Sequence, residues 1–333
     1  MREIYSSTGQ TRFIKNYRRA FHKVNALKKI IISLLILFFV GFNNSALAQG
    51  PGAAWEYSRN IALTAVTPLA DYQVKVVLTT GMYSHMKADG SDLRFYDNSG
   101  VASNYWIERW DNAGTSVVWV KVPTSGANAL TMYYGNPAAS SAASPGTDVF
   151  DFFDDFSGPT LNANWTPLST NGTISFSGGS VVLANTSGGT NGANDGVGIS
   201  SAFIPSSTSY IVEAKHQEGA YNRNRFYVTD VLNGSSPTGG DYGLFNRNGP
   251  RTAGEALWAG VWMASFNTDS AYLMRWDITS GSTYTWSNYN YLTDVLITTS
   301  TGSVNKSVSY LSFRVTEASG TSTSIDWARV RKG

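Results

Sequence analysis

Three residues of one short segment, Arg223, Arg225 and Tyr227, have types and spacing suited to holding an acidic ligand. Alternate residues of a β-strand share one face, so these three side chains would lie on the same side of a sheet. Two guanidinium groups beside a tyrosine can hold the acid group of a sugar. Trp258 and Trp262 follow and offer aromatic faces to the apolar side of a sugar ring. These five residues form the predicted ligand site, although each Trp could instead belong to a core.

Hydrolysis of a sugar bond needs two carboxylates that face it. After residue 48 the sequence has only six glutamates: Glu56, Glu108, Glu213, Glu218, Glu255 and Glu317. The closest two, Glu213 and Glu218, would point to opposite faces of an unbroken strand. We interpret both as strand-surface residues and predict no catalytic residue. His216, beside a predicted turn, is interpreted as a solvated polar residue.

The composition favours β-structure along the whole chain. Charged residues make up 14% and aromatic residues 13%, with 32 Gly and no Cys. Short segments such as DYQVKVVL alternate apolar and polar residues, and Gly, Asn and Pro separate them. Gly178 and Gly179 are predicted to form the turn of a hairpin. The predicted fold class is all-β, with two antiparallel β-sandwich, jelly-roll-like domains.

The N-terminal region has the features of a secretory signal peptide. Residues 30–42 form an apolar run of thirteen residues, shorter than the roughly 20 that a membrane span needs. Lys28 and Lys29 precede this run and Ala46-Leu47-Ala48 follows it, so we predict a signal peptide over 1–48, cleaved after Ala48. The predicted location is extracellular or at the cell surface. The alternative is a retained membrane anchor.

Cleavage would change the charge of the protein. The signal segment contains eight of the 25 basic residues and one of the 23 acidic residues, which leaves 17 and 22, a net charge of −5. A chain of this charge has no basic patch for phosphates, so nucleic acid is not a predicted partner. We predict no membrane span in the mature chain.

Two sets of motifs resemble known families. The first set resembles the domain of unknown function 2341 family over about residues 53–140: WEYSR at 55–59, YWIE at 105–108, VWVKVP at 118–123 and YYGNP at 133–137. The second set resembles a concanavalin A-like lectin/glucanase sandwich: DDFSG at 154–158, YIVEA at 210–214 and IDWARV at 325–330. We therefore predict domains at 49–140 and 151–333, joined by a linker at 141–150. The first family has no known reaction, so the resemblance implies no activity.

The sandwich resemblance also implies a candidate metal site. In such a fold the first and last strands pair, which would bring Asp154 and Asp155 close to Asp326. Calcium prefers carboxylate oxygens, so these residues are the candidate ligands of a structural calcium ion. The alternative is that Asp154 and Asp155 are turn or edge residues and that Asp326 faces solvent.

These observations together predict a secreted or cell-surface, non-catalytic binding protein. Its predicted role is glycan binding or adhesion, with a polysaccharide or surface glycan as partner. One alternative is a glycoside hydrolase that acts on polysaccharide. A further alternative is the structural ectodomain of a longer, transport-linked surface protein.

Overall fold

The computed structural model describes most of the chain after residue 49. The described residues are 50–63, 69–168, 171–186, 196–218, 223–229, 242–247, 260–263, 271–279, 283–303, 310–315 and 320–333. The predicted signal segment, residues 1–48, lies outside them, so the signal and its cleavage stay predictions. In the described ranges, no helix has both the length and the apolar character that crossing a bilayer requires.

Seven strands form a first sandwich: β1 (Tyr57–Ala62), β2 (Tyr72–Leu78), β3 (Arg94–Asp97), β4 (Ala102–Ser103), β5 (Tyr105–Arg109), β6 (Ser116–Val122) and β7 (Ala129–Tyr134). A 3-10 turn at Thr80–Met82 follows β2. The strands make two antiparallel sheets, in the orders β1-β7-β3-β4 and β2-β6-β5. Leu78, Phe95, Val118 and Leu130 belong to the core between them. The alternating pattern of DYQVKVVL is confirmed as strand β2.

The second sandwich begins with β8 (Phe152–Asp154), β9 (Trp165–Pro167), β10 (Gly172–Ser177), β11 (Ser180–Asn185), β12 (Val197–Ala202), β13 (Tyr210–Glu218) and β14 (Arg223–Thr229). It continues with β15 (Tyr242–Arg247), β16 (Gly260–Met263), β17 (Ala271–Thr279), β18 (Thr283–Asn290), β19 (Leu296–Ser303), β20 (Tyr310–Val315) and β21 (Ser322–Lys332). One sheet has the order β10-β11-β21-β13-β17-β18-β19, with β8 also paired to β21, and the other has the order β16-β15-β14-β20-β12-β9. The predicted all-β fold class is therefore confirmed.

The predicted hairpin is also present, between β10 and β11. Ser177 pairs with Ser180, which leaves Gly178 and Gly179 as a two-residue turn. Both glycines have positive φ, 61° and 80°. A turn with positive φ at both central residues matches the twist of the two strands, and glycine adopts it without steric cost.

The predicted linker is packed against other parts of the chain. It contains the short helix α1 (Gly146–Val149). Val149 and Phe150 are buried in a cluster that also includes Trp119 of the first sandwich and Trp327 of the second. Residues 51–333 form one compact unit. The division of these residues into two domains stays a prediction.

Alternation along the strands explains how this cluster arises. Val118 of β6 lies in the first core, whereas its neighbour Trp119 lies in the shared cluster. In the same way, Val330 of β21 lies in the second core and Trp327 in the shared cluster. Strands β6 and β21 are thus covered on both faces over most of their length, which accounts for the strongly apolar sequence of β6.

Candidate ligand-binding cleft

A cleft lies where the outer faces of the sheets that contain β6 and β21 meet. Its volume is about 470 Å³, within the range of about 300–1,000 Å³ that is usual for small-molecule sites. The aromatic lining residues are Tyr72, Trp119, Tyr289 and Tyr291, and the charged ones are Lys75, Glu108, Arg109, Glu213, Arg275, Asp294, Arg329 and Arg331. Strands β2, β5 and β6 provide one wall, and β13, β17, β18 and β21 provide most of the other.

An irregularity in β5 brings two consecutive charged residues to the cleft. Ile107 pairs with Val118 and Arg109 pairs with Val117, so Glu108 is an extra residue in the ladder. In a regular strand, Glu108 and Arg109 would point to opposite faces. A β-bulge redirects side chains in this way and is often found beside functional sites.

Arg329 connects the two sides of the cleft. Its Nε donates a hydrogen bond to Glu213 over 2.7 Å, and its Nη1 donates one to Glu108 over 2.6 Å. The side chains of Arg329 and Glu213 are 1% and 2% exposed. The guanidinium carbon also lies 4.2 Å from the ring centroids of both Trp119 and Trp327. One cation therefore joins a carboxylate and a tryptophan from each sandwich.

Glu213 accepts from a second arginine as well. The Nε and Nη2 of Arg331 donate to its two oxygens over 3.1 and 3.2 Å, and Arg275 Nε lies 4.0 Å from Oε1. Burial would by itself raise the pKa of Glu213, but the charges of Arg329, Arg331 and Arg275 hold it well below the ordinary value of 4.5. Glu213 is therefore a permanent anion at neutral pH.

This lowered pKa predicts how stability changes in acid. Below about pH 4.5 the unfolded chain binds a proton at Glu213 that the folded chain does not, so the free energy of unfolding falls as pH falls. Asp154 acts in the opposite direction, because burial raises its pKa above the ordinary value despite hydrogen bonds from Phe156 and Trp165. Urea unfolding at pH 7 and pH 3 should show a loss of stability that is smaller in Glu213→Gln. An equal loss of stability in both proteins would contradict the lowered pKa of Glu213.

Two of the four aromatic lining residues present usable faces. Trp119 and Tyr291 are buried, whereas Tyr72 and Tyr289 are half-buried. Arg109 lies 5.6 Å and Lys215 Nζ 4.4 Å from the ring centroid of Tyr291. Burial and the neighbouring Glu108 raise the pKa of Tyr291, so its hydroxyl stays protonated. Tyr72 and Tyr289 are thus the rings that a ligand can reach.

The predicted ligand site is only partly described. Trp258 lies outside the described residues. Arg223, Arg225 and Tyr227 do occur at alternate positions of β14, and Trp262 lies in β16, but only their backbone positions are described. Their role in binding stays a prediction.

Strand pairing adds two arginines to this predicted site. Arg223 pairs with Arg247, and Arg225 pairs with Arg314. On the same face, Ser312 pairs with Tyr227. Arg314 and Ser312 are nonetheless buried. The described side chains of this face are therefore not an open surface, unlike those of the cleft.

The predicted pairing of first and last strands is present, because Asp154 pairs with Ala328. The three aspartates, however, bind other partners. Asp154 accepts from the backbone N–H of Phe156 and from Trp165 Nε1, both at 2.8 Å. Asp155 accepts from the backbone of Ser157, and Asp326 from Ser180 and Lys215. No group of three metal-binding side chains occurs among the described residues. The calcium site stays a prediction.

Two interpretations made from the sequence are wrong. Glu213 is not a strand-surface residue but a buried carboxylate. His216 is not solvated; it lies within β13, fully buried, with its ring 4.9 Å from that of Phe226. Trp276 and Trp286 are both buried in the second core.

The cleft residues themselves were missed, although the sequence contains a signal for them. Trp327, Arg329 and Arg331 alternate along one segment just as Arg223, Arg225 and Tyr227 do. The apolar segment SVVWVKV also lacks a polar face, which is typical of a strand covered on both sides. Neither pattern identifies which other strands of the protein cover the second face of these segments.

Strands β5 and β6 of the first wall and the helix α1 lie in one continuous stretch of chain, which includes Glu108, Arg109 and Trp119. Residues 89–168 match the family described as "Domain of unknown function (DUF2341)". This confirms the predicted resemblance, but the matched DUF2341 segment begins and ends later than the predicted 53–140. It extends through β8 and β9, into the second sandwich.

Comparison with solved structures gives weak similarities over about half of the chain. The CBM2 module of the evolved Dit of Lactobacillus casei BL23 phage J-1 is 13% identical, with a TM-score of 0.37, over 54% of this chain and 94% of the module. The Ca²⁺/Man2-bound VIP36 exoplasmic/lumenal domain is 8% identical, with a TM-score of 0.38, over 54% and 86%. A Bacillus licheniformis β-glucanase is 13% identical, with a TM-score of 0.36, over 55% and 98%. Similarity at this level transfers neither a ligand nor an activity. No curated protein sequence matches the chain.

Proposed function

We propose that the protein is a secreted or cell-surface protein that binds a glycan in the cleft without cleaving it, with adhesion as the outcome. The observation that carries this proposal is the presence of two half-buried tyrosines, Tyr72 and Tyr289, in a cleft rich in polar groups. The secreted location rests on the predicted signal peptide.

The two kinds of lining group suit the two kinds of surface on a sugar. The C–H face of a pyranose ring packs against an aromatic ring, whose face carries partial negative charge. The hydroxyl groups need donors and acceptors at fixed positions, which Lys75 and Asp294 provide. These two side chains form a 3.0 Å ion pair and are 33% and 56% exposed, so a ligand can reach them.

A glycoside hydrolase is the second candidate, because Glu108 and Glu213 both line the cleft. Such an enzyme needs one carboxylic acid with a raised pKa to protonate the leaving group. The pKa of Glu213 is instead lowered, and Glu108 accepts hydrogen bonds from Arg329 and Trp119. Both carboxylates are thus held by protein donors, which favours binding over hydrolysis.

Removal of one aromatic face tests the proposal. Tyr289→Ala should weaken binding to the glycan that the wild-type protein selects on an array by about tenfold or more, the effect of losing an aromatic anchor. Tyr289→Phe keeps the ring face and should bind within a few-fold of wild type. Unchanged binding in Tyr289→Ala would show that the glycan binds elsewhere and would contradict the proposed site.

The same experiment distinguishes the other candidates. Reducing sugar should not accumulate when the protein is incubated with the selected glycan; its release would establish the hydrolase instead. Binding should be repeated with a calcium chelator. Loss of binding in chelator would support the predicted calcium ligands Asp154, Asp155 and Asp326.

A further inference from the structure

We infer that the ligand of the cleft is an acidic sugar and that Arg109 holds its carboxylate. This inference rests on the proposed function and specifies its substrate class. Five cations and three carboxylates line the cleft. One more carboxylate, Asp277, pairs with Arg275 through a 2.8 Å hydrogen bond. One positive charge therefore has no counterpart.

The unmatched charge can be assigned to a residue. Lys75 pairs with Asp294, and Arg329 and Arg331 pair with Glu213. Arg109, by contrast, has no carboxylate within 4.0 Å in the part of the chain that the structure describes. The hydrogen bond that it donates runs from Nε to the backbone oxygen of Thr115, at 3.1 Å.

The residue next to Arg109 cannot neutralise it. Glu108 is its neighbour in the bulge, but Glu108 Oε2 accepts from Arg329 at 2.6 Å and from Trp119 Nε1 at 2.6 Å. The bulge thus places Glu108 and Arg109 on the same wall. Glu108 pairs with Arg329 of the other sandwich. Arg109 is left facing the cleft.

The position of Arg109 suits a carboxylate on a ring. Its Nε bond and its place 5.6 Å from the Tyr291 ring hold the guanidinium group in a fixed orientation. The two Nη atoms form a planar fork that matches a carboxylate, and partial burial strengthens a charge-assisted hydrogen bond. Tyr289 lies in the same cleft and can pack against the sugar ring that carries the acid group.

A matched glycan array tests this inference. It presents uronate oligosaccharides, the same oligosaccharides with each carboxylate reduced to an alcohol, and sulfated oligosaccharides. The wild-type protein should bind a uronate at least about tenfold more tightly than its reduced partner. Arg109→Gln should lose this preference, and a urea unfolding curve close to that of wild type would show that the variant is folded. Arg109→Lys keeps the charge without the fork and should retain only part of the preference.

The outcomes separate this inference from the proposed function. Equal wild-type binding of uronate and reduced glycans, with binding lost in Tyr289→Ala, would overturn the role of Arg109 and keep glycan binding. A preference that survives in Arg109→Gln would also overturn it. Tighter binding of sulfated glycans than of uronates would overturn the carboxylate assignment. No binding to any glycan would overturn both proposals.

Discussion

Replacement of Glu213 by glutamine is expected to lower the free energy of unfolding by about 3–5 kcal/mol, because a buried charge pair is broken while its cations stay buried. Glutamine has nearly the same shape as glutamate, so packing changes little. The variant leaves the buried Arg331 without its carboxylate and leaves the buried Arg329 with Glu108 as its remaining carboxylate. Chemical unfolding in urea at pH 7 measures the effect.

The matched control is an ion pair at the edge of the same cleft. Asp294→Asn removes the partner of Lys75, but these side chains are 56% and 33% exposed. Water can solvate the remaining lysine, so the expected cost is about 0–1 kcal/mol. Similar costs for the two variants would mean that Glu213 is effectively solvated, and the buried network would then not account for the lowered pKa.

Local patterns were sufficient to predict most of the strands. The alternation of DYQVKVVL identifies β2, and two consecutive glycines identify the turn between β10 and β11, because only a few short-range interactions decide these structures. The same rule placed Arg223, Arg225 and Tyr227 at alternate positions of β14. The resemblance of the second region to a known sandwich supplied the pairing of its first and last strands.

The cleft depends on information that local patterns lack. Alternation tells which residues of β13 share a face, but not that this face meets the first sandwich. Glu213 therefore had the pattern of a solvent-facing residue, although it is buried by residues more than a hundred positions away, such as Arg329. A bulge is equally hard to predict, since one extra residue at Glu108 reverses the orientation of the residue after it.

The network at the cleft also affects which functions the site can support. A carboxylate that must bind two arginines to be stable in the interior cannot exchange protons near neutral pH. The same contacts that keep the two walls in place therefore make Glu213 unsuitable as a general acid. They hold the tyrosines of opposite walls, Tyr72 and Tyr289, at a fixed separation, which favours recognition of a ligand of defined shape.

The contact between the sandwiches should depend strongly on Trp119. Trp119→Ala removes a buried ring that lies 4.2 Å from the Arg329 guanidinium and 4.8 Å from that of Arg331. It also removes the 2.6 Å hydrogen bond from Nε1 to Glu108. Loss of a buried tryptophan should lower the free energy of unfolding by about 3–5 kcal/mol. Urea unfolding, followed by circular dichroism, measures this loss.

Trp119→Phe separates the contribution of ring packing from that of the Nε1 hydrogen bond. Phenylalanine keeps a ring beside Arg329 and leaves Glu108 without its N–H donor, so the expected cost is about 1–3 kcal/mol. Equal costs for Ala and Phe would assign the whole effect to the hydrogen bond, and the ring would then not hold the walls together. A large cost for Ala with a small one for Phe would assign it to packing against the arginines. In that case Trp119→Ala should also weaken glycan binding, because the wall that carries Arg109 would no longer be held against the wall that carries Tyr289.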